Sequence, residues 1–406
     1  MSIEGYKRVR NKITSRFTFQ NILRCLEDPK HPSTGPCLRF INLTGNWHPN
    51  MKLKSTRFKQ LVFYITMTLF FSQYLKCVIG LDLSALLFLL QTAPFHMGTP
   101  KSIFFRKNHV LWQKMIDYMS RTELEQLSDK DEEVRAVLDE YIRRARRVIY
   151  LYWSLVICGN ISLFTEPYLK NQIVENGTDI YVPLFHFYLP WNQDVPPGYY
   201  YSMFLQTILG NIMSSYVISW DSLVISTFIF FIGQLKISRV YCTKVIDPES
   251  AERSHQNIIK CHRFHTTLVE YHKLFQKLIS SVMFIYLIVV SANLGSCIIQ
   301  ISNASGDLPV MMGAIFFVFC ILIQLLTFYW FSNEVTVESL SVSSGIFESK
   351  WMTMDAKIQK EVALLQLTMS KRLCFRAGPS NEMSLNTFVA ILKTSYSFFT
   401  LLKETK

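Results

Sequence analysis

Residues 308–333 read LPVMMGAIFFVFCILIQLLTFYWFSN, and no charged side chain occurs between Asp307 and Glu334. A helix rises about 1.5 Å per residue, so roughly 20 apolar residues cross a hydrocarbon core that is about 30 Å thick. This segment is long enough to do so. It therefore predicts a transmembrane helix and a fold that is organised around a bilayer.

Six further apolar segments lie along the chain, each about 16 residues or longer. Charge interrupts only two of them, at Asp221 in the fourth span and Lys393 in the last. Half of the residues are hydrophobic and only 18% are charged, which is below the roughly 25% of soluble domains. We predict an all-α, polytopic membrane protein with seven transmembrane helices: Gln60–Leu75, Leu83–Pro100, Val148–Thr165, Tyr199–Leu235, Leu278–Ser302, Leu308–Asn333 and Leu385–Leu402.

Basic residues are distributed unequally between the segments that separate these spans. The chain carries 42 Lys and Arg residues, and 37 of them lie in four alternate segments: 1–59, 101–147, 236–277 and 345–380. Segments rich in Lys and Arg stay on the cytoplasmic side. The N-terminus is therefore predicted to be cytoplasmic and the C-terminus extracellular.

Two sequons fall in loops that this topology places outside the cell. They are Asn176-Gly177-Thr178 and Asn303-Ala304-Ser305. Because glycosylation of such sequons occurs on the extracellular side, Asn176 and Asn303 are the predicted glycosylation sites.

Residue patterns of known catalytic and cofactor sites are not found. The sequence contains no P-loop, GxSxG or HExxH pattern and no CxxC pair. His255, His262, His265 and His272 follow one helical stripe, but no carboxylate or cysteine completes a ligand set at suitable spacing. We predict no catalytic residue, no metal and no cofactor. The basic run at 143–147 precedes the third span, where lipid headgroups rather than nucleic acid are the expected partner.

The last predicted span carries a polar stripe in addition to Lys393. Its members recur at helical spacing: Thr394, Ser397, Leu401 and Glu404. Such a stripe is suited to line an aqueous pore, and hydrogen bonding of Thr and Ser to a neighbouring helix is an equally good explanation. Both interpretations remain open at this point.

Apolar and aromatic side chains near the outer ends of the spans form a candidate pocket for a small apolar ligand. Ordinary helix packing explains them equally well. The candidates are Phe88, Cys158, Ile161, Tyr201, Phe204, Ile208 and Ile212.

The C-terminal stretch LNTFVAILKTSYSFFTLL, residues 385–402, closely resembles the signature ending of insect odorant receptors. Gly345-Ile346-Phe347, Trp351 and residues 364–369 resemble the cytoplasmic approach to that ending, and Pro197-Gly198-Tyr199 resembles the start of the family's fourth span. The resemblance covers the order of all the spans, with its specific motifs concentrated after residue 340.

This resemblance implies a ligand-gated, non-selective cation channel that forms a heterotetramer with a shared co-receptor. Residues 1–59 would be a cytoplasmic region, 60–335 the first six helices with an outer-half pocket, 336–384 a cytoplasmic anchor, and 385–406 the pore-lining helix with a short outer tail. The polar stripe of the last span thereby becomes a set of pore candidates. The segment 236–277 is much shorter than the corresponding loop of the co-receptor, so an odour-tuning subunit is expected.

The expected partners are the co-receptor, a small volatile organic ligand, membrane lipids and permeating cations, without nucleic acid. The expected location is the plasma membrane of olfactory sensory neuron dendrites. The alternative is a seven-helix receptor or transporter for a small apolar ligand without intrinsic channel activity.

Overall fold

The computed structural model describes residues 26–47, 54–80, 83–173, 184–185, 187, 189–192, 195–303 and 308–404. These residues form long helices, one short 3-10 helix and one two-stranded antiparallel hairpin, so the predicted all-α class is confirmed. In chain order the α-helices are α1 (Gly35–Leu43), α2 (Lys54–Gly80), α3 (Leu83–His96), α4 (Gly98–Lys107), α5 (His109–Leu127), α6 (Glu132–Ile173), α7 (Gly198–Thr243), α8 (Ala251–Asn303), α9 (Leu308–Ser341), α10 (Ser344–Glu348), α11 (Ala356–Met369) and α12 (Leu385–Glu404). The hairpin strands are β1 (Arg376–Ala377) and β2 (Asn381–Glu382), and the 3-10 helix is Trp351–Thr353.

Six of the seven predicted spans each lie within one described helix, and the second is divided between two helices. Within the described residues, four stretches are long and apolar enough to cross a membrane: Glu132–Thr165, Gly198–Thr243, Ala251–Ile298 and Met311–Thr353. The other three predicted spans fall in α2, in α3 with α4, and in α12. The chain is thus a multi-pass membrane protein.

Three helices are much longer than a bilayer requires. α6, α7 and α8 contain 42, 46 and 53 residues, which corresponds to about 63, 69 and 80 Å at 1.5 Å per residue. The hydrocarbon core takes up only about 30 Å of each. These helices therefore extend well beyond the membrane.

Helix α7 forms the centre of the molecule. Its most apolar stretch is completely buried, whereas only a minority of the residues in those of α6 and α9 are buried. It packs against α1, α4, α6, α8, α9 and α10. α7 therefore contacts most of the other helices. The apolar outer faces of α6 and α9 are available for contact with lipid or with other subunits.

The second predicted span is not one continuous helix, and the prediction of an unbroken span to Pro100 is wrong. Pro94 lies inside α3 and cannot donate a backbone hydrogen bond to the carbonyl of Leu90. The Asn293 side-chain amide donates to that carbonyl instead, at 2.8 Å. α3 ends two residues after the proline, and α4 begins at Gly98, where a Cβ atom would lie 2.9 Å from the Met213 carbonyl oxygen of α7.

The N-terminal segment is attached to α5 through a buried carboxylate. Glu123 accepts a hydrogen bond from the backbone N–H of Ser33 at 3.0 Å and one from the Tyr141 hydroxyl at 3.2 Å. Burial raises the pKa of Glu123 to about 7, although Ser33, Tyr141 and the charge of Arg146 act against that rise. The segment around α1 is thereby fixed to the helical bundle.

The hairpin fixes the start of α12 against α8. The backbone N–H of Gly378 donates to the Ser280 carbonyl oxygen at 3.1 Å, and Gln276 exchanges two hydrogen bonds with the backbone of Arg376. Gly378 has a φ of 73°. A Cβ atom there would approach the Phe284 ring to 2.7 Å.

We expect Gly378→Ala to reduce the amount of folded receptor. An L-residue at this φ costs about 1–2 kcal/mol, and the new methyl group also displaces Phe284. Fluorescence-detected size-exclusion chromatography of detergent extracts measures the monodisperse fraction. Gly313→Ala is the control, because its Cβ atom would meet only the Ser162 hydroxyl at 3.9 Å. Equal monodisperse fractions for the two variants would contradict this role of the hairpin.

Candidate functional site

Four helices surround a partly open cavity in the bundle. Together with its open mouth it holds about 520 Å³. We call it the interhelical cavity. Its lining residues come from α3, α6, α7 and α9: Pro94, Phe95, Leu155, Val156, Gly159, Asn160, Ser214, Val217, Phe317, Cys320, Ile321 and Gln324.

Most of this lining is apolar, and three side chains supply strong hydrogen-bonding groups. The Ser214 hydroxyl donates to Asn160 Oδ1 at 3.0 Å, which joins α7 to α6. Gln324 enters from α9. Such a cavity suits an uncharged, mainly apolar molecule that carries few polar atoms.

A fully buried ion pair is connected to this cavity through Gln324. The Lys101 ammonium of α4 contacts Asp221 Oδ1 of α7 at 2.6 Å, and both side chains have 0% exposure. Removing two charges from water costs several kcal/mol per ion unless the remaining groups are paired and hydrogen-bonded. This Lys101–Asp221 pair therefore depends on its immediate surroundings.

Those surroundings provide two further donors on the carboxylate side. The Tyr152 hydroxyl of α6 donates to Asp221 Oδ2 at 2.6 Å, and Gln324 Nε2 of α9 donates to the same oxygen at 2.7 Å. Asp221 thus accepts from three different helices. Gln324 is the donor that also lines the interhelical cavity.

Aromatic rings surround the ammonium side. Lys101 Nζ lies 4.7 Å from the ring centre of Tyr286, 5.3 Å from that of Trp220 and 5.9 Å from that of Phe328. The negative faces of such rings attract a cation in the absence of water. Helices α4, α6, α7, α8 and α9 therefore all meet at one charge pair.

The pocket residues predicted from the sequence lie elsewhere. Cys158, Ile161, Tyr201, Phe204 and Ile208 are exposed on the outer faces of α6 and α7, and Ile212 is partly buried against the core. The backbone of Phe88 lies in α3, but its side chain is outside the described part of the chain. Of the six whose side chains are described, none lines the interhelical cavity.

Ile161 lines a second, more lateral space between α6 and α7. We call it the lateral groove, and it holds about 720 Å³ with its open side. Asn160 borders both spaces. The groove is lined by Ile157, Asn160, Ile161, Phe164, Thr165, Thr207 and Asn211.

Helix α12 packs by one face against α8 and α9 and leaves the opposite face open. Ile391 and Ser395 are buried, whereas Lys393, Thr394 and Ser397 are exposed. The Thr394 hydroxyl donates to the Ala390 carbonyl oxygen at 2.9 Å and the Ser397 hydroxyl to that of Lys393 at 3.0 Å, both within the helix. The backbones of Leu401 and Glu404 belong to α12, but their side chains are outside the described residues.

The histidine stripe is divided among separate environments. His255 contacts Glu361 at 2.7 Å, His265 contacts Ser238 at 3.3 Å, and the His272 ring packs 4.3 Å from that of Phe375. In the part of the chain that the structure describes, no three potential ligands come together to hold a metal. Of the predicted glycosylation sites, Asn176 lies outside the described residues, and only the backbone of Asn303 is described.

Sequence reasoning missed the charge pair and the interhelical cavity. Asp221 stood out as a charge within a span, and it is fully buried in the bundle. Lys101 lies one residue beyond the second predicted span, so it could not be told apart from cytoplasmic lysines. The signal that could have found the pair was the rule that a charge inside a span needs a partner.

Comparison with known proteins gives one consistent result. The family model described as 7tm Odorant receptor matches residues 82–396. Odorant receptor 10 of Aedes albopictus is 23% identical over 75% of this chain and 80% of its own length. Odorant receptor Or2 of Anopheles gambiae is 24% identical over 68% of this chain and 74% of its own length.

The fold is similar to that of the insect olfactory receptor OR5 from Machilis hrabei. The structure of that receptor in complex with eugenol matches with a TM-score of 0.75 at 14% identity, covering 91% of this chain and 97% of the other. The family model spans most of the described bundle, from α3 into α12. This chain belongs to the seven-transmembrane odorant receptor family of insects.

Proposed function

We propose that this chain is an odour-tuning subunit whose volatile ligand binds in the interhelical cavity. Members of its family are ligand-gated cation channels that work with a co-receptor, and the family is not one of enzymes. The observation that carries the proposal is the cavity itself, an apolar space with three polar side chains between four helices. Machilis hrabei OR5 in complex with eugenol is a relative with a small aromatic ligand.

The receptor opens because the ligand binds the open arrangement better than the closed one. A ligand shifts a conformational equilibrium only by its differential affinity for the two states. The cavity borders α7, the helix at the centre of the bundle, so a change in its occupancy acts on a helix that packs against most of the bundle. The chain has no catalytic role in this account.

The pore is proposed to lie along the open face of α12. Thr394 and Ser397 are exposed there in the single subunit, and Leu401 and Glu404 continue the same stripe along the helix. Four subunits, including the co-receptor, would enclose the permeation path for cations. The exposure of Thr394 and Ser397 supports this assignment, because a buried face would leave no room for a path.

The proposed orientation has the N-terminus inside the cell and glycans at Asn176 and Asn303, in the plasma membrane of olfactory neuron dendrites. The support is the concentration of Lys and Arg in alternate segments. Glycosidase digestion of Asn176→Gln and Asn303→Gln variants tests it. Glycans on Asn42, which lies in the segment that is predicted to be cytoplasmic, would reverse the orientation.

Filling the interhelical cavity is expected to weaken activation. At Gly159 a Cβ atom would lie 3.5 Å from the Cys320 sulfur, so Gly159→Val adds apolar atoms within the cavity at ordinary contact distance. Loss of the corresponding ligand contacts raises the half-maximal concentration about tenfold. Currents are recorded in cells that also express an insect co-receptor, over a panel of volatile ligands.

Gly313→Val is the matched control for this experiment. Gly313 lies on α9 near Ser162 and does not line the cavity. Its half-maximal concentrations should stay within about twofold of wild type. Unchanged responses of Gly159→Val would show that the ligand binds outside the interhelical cavity. The lateral groove would be the next site to test. Surface receptor that binds ligand without any current would favour a receptor without intrinsic channel activity.

A further inference from the structure

Gln324 occupies two environments at once. Its side chain lines the interhelical cavity, and its amide donates to Asp221 Oδ2 at 2.7 Å. Asp221 in turn holds Lys101 at 2.6 Å and accepts from the Tyr152 hydroxyl at 2.6 Å. One amide therefore separates the space for a ligand from a charge pair at which five helices meet.

The other two strongly hydrogen-bonding side chains in the cavity wall, Ser214 and Asn160, are hydrogen-bonded to each other. The Ser214 hydroxyl donates to Asn160 Oδ1, so this pair joins α6 and α7 whether or not a ligand is present. The Gln324 amide is engaged with a carboxylate that has two further partners. A ligand that draws on this amide leaves Asp221 with Lys101 and Tyr152, so the charge remains paired.

We propose that the receptor is selective for ligands with a hydrogen-bond-accepting oxygen, and that such a ligand acts by competing with Asp221 for the Gln324 amide. The oxygen of a ketone or an ester accepts a hydrogen bond from Gln324 Nε2. Helix α9 then loses its hydrogen bond to Asp221 of the Lys101–Asp221 pair. The bond from Gln324 to Asp221 stabilises the closed arrangement. This inference rests on the proposed ligand site.

The physical basis is the competition of two acceptors for one donor group. A hydrogen bond to a charged acceptor is stronger than one to a neutral oxygen, so the ligand does not win on this bond alone. Burial of its apolar part in the cavity supplies the remaining free energy. An apolar molecule of the same shape fills the cavity but leaves Gln324 with Asp221. At saturating concentration, a ketone is therefore expected to evoke about fivefold more current than its hydrocarbon analogue.

The test uses pairs of ligands that differ in one group. A panel of aliphatic and aromatic ketones is compared with the alkenes in which a methylidene group replaces the carbonyl oxygen. Wild-type receptor, Gln324→Met and Tyr152→Phe are each expressed with a co-receptor, and currents with and without ligand are normalised to surface receptor. Methionine keeps the length of the glutamine side chain without its amide.

Gln324→Met is expected to abolish the ketone preference and to raise the ligand-independent current about fivefold. Tyr152→Phe removes another donor to the same oxygen, Asp221 Oδ2, but Tyr152 does not line the interhelical cavity. It should keep the ketone preference, because the Gln324 amide is unchanged in this variant. A purely structural role for Gln324 would lower the surface level without changing the ratio of ketone-evoked to alkene-evoked current.

Three results would overturn the inference. The first is a wild-type receptor that responds to ketones no better than to the matched alkenes. The second is a ketone preference that survives Gln324→Met. The third is loss of that preference without any rise in ligand-independent current, which would leave Gln324 as a ligand contact with no action on Asp221. Failure of the proposed ligand site is recognised separately, because Gly159→Val would then leave all potencies unchanged.

Discussion

Lys101→Met is expected to remove most of the receptor from the cell surface. The substitution leaves the Asp221 carboxylate fully buried without its cation, and breaking a buried pair in this way costs about 3–5 kcal/mol. Proteins are stable by only about 5–15 kcal/mol in total, so such a loss is a large part of the whole. Surface biotinylation followed by immunoblotting measures the effect.

The double variant Lys101→Met with Asp221→Asn should recover most of the surface receptor. Replacement of a buried ion pair by uncharged groups of similar volume is often close to neutral. The side-chain carbonyl oxygen of the introduced asparagine still accepts from Tyr152 and Gln324. Lys107→Met is the control, because Lys107 is exposed at the other end of α4. A single variant that reaches the surface as wild type does, or a double variant no better than the single one, would contradict this account of the pair.

Ser397→Arg is expected to suppress the cation current roughly thirtyfold at an unchanged surface level. A fixed positive charge about 8 Å from a permeating cation, at an effective dielectric constant of about 20, raises the energy of the cation by about 2 kcal/mol. Ser397 is exposed on the face of α12 that we assign to the pore.

Ser397→Glu is the matched variant for this measurement. It adds a side chain of comparable length with the opposite charge at the same position. Glutamate should keep the current or increase it, because negative charge concentrates cations. The comparison is made by voltage clamp with the co-receptor present. Equal currents for the two variants would exclude Ser397 from the pore wall.

Much of the architecture could be predicted because charge-free segments of sufficient length have few alternatives to membrane helices. The span 308–333 is an example, and it lies within the described α9. The break between α3 and α4 could not be derived in the same way. Pro94 alone is compatible with a kinked continuous helix, and the hydrogen bond that replaces its missing donor comes from Asn293, about 200 residues away in sequence.

The Lys101–Asp221 pair shows why pairing between distant residues could not be predicted from the sequence. Asp221 was noticed, since a carboxylate within an apolar span is costly. Its partner lies 120 residues earlier, directly after a span and among lysines that the positive-inside rule assigns to the cytoplasm. Hydropathy gives no means to distinguish a lysine that enters the bundle from one that faces water.

The residues that line the interhelical cavity could not be predicted from the sequence for a related reason. Cys158 and Gly159 are neighbours on α6, yet the first is exposed and the second lines the interhelical cavity. In a membrane, lipid tails are as apolar as a protein interior, so apolar residues mark both faces of a helix alike. The rotation of α6 that selects Gly159 and Asn160 for the cavity is set by packing against α7 and α9. The preference for Ile161 therefore stays a prediction, now linked to the lateral groove.

The central claim is that a volatile ligand sits between α3, α6, α7 and α9. The most direct test is a structure, determined by electron cryomicroscopy, of the complex of this chain with a co-receptor and an activating ketone. We predict ligand density within the interhelical cavity, with its oxygen at hydrogen-bonding distance from Gln324 Nε2. Density in the lateral groove beside Ile161 and Asn211, with the interhelical cavity free of ligand, would contradict the account.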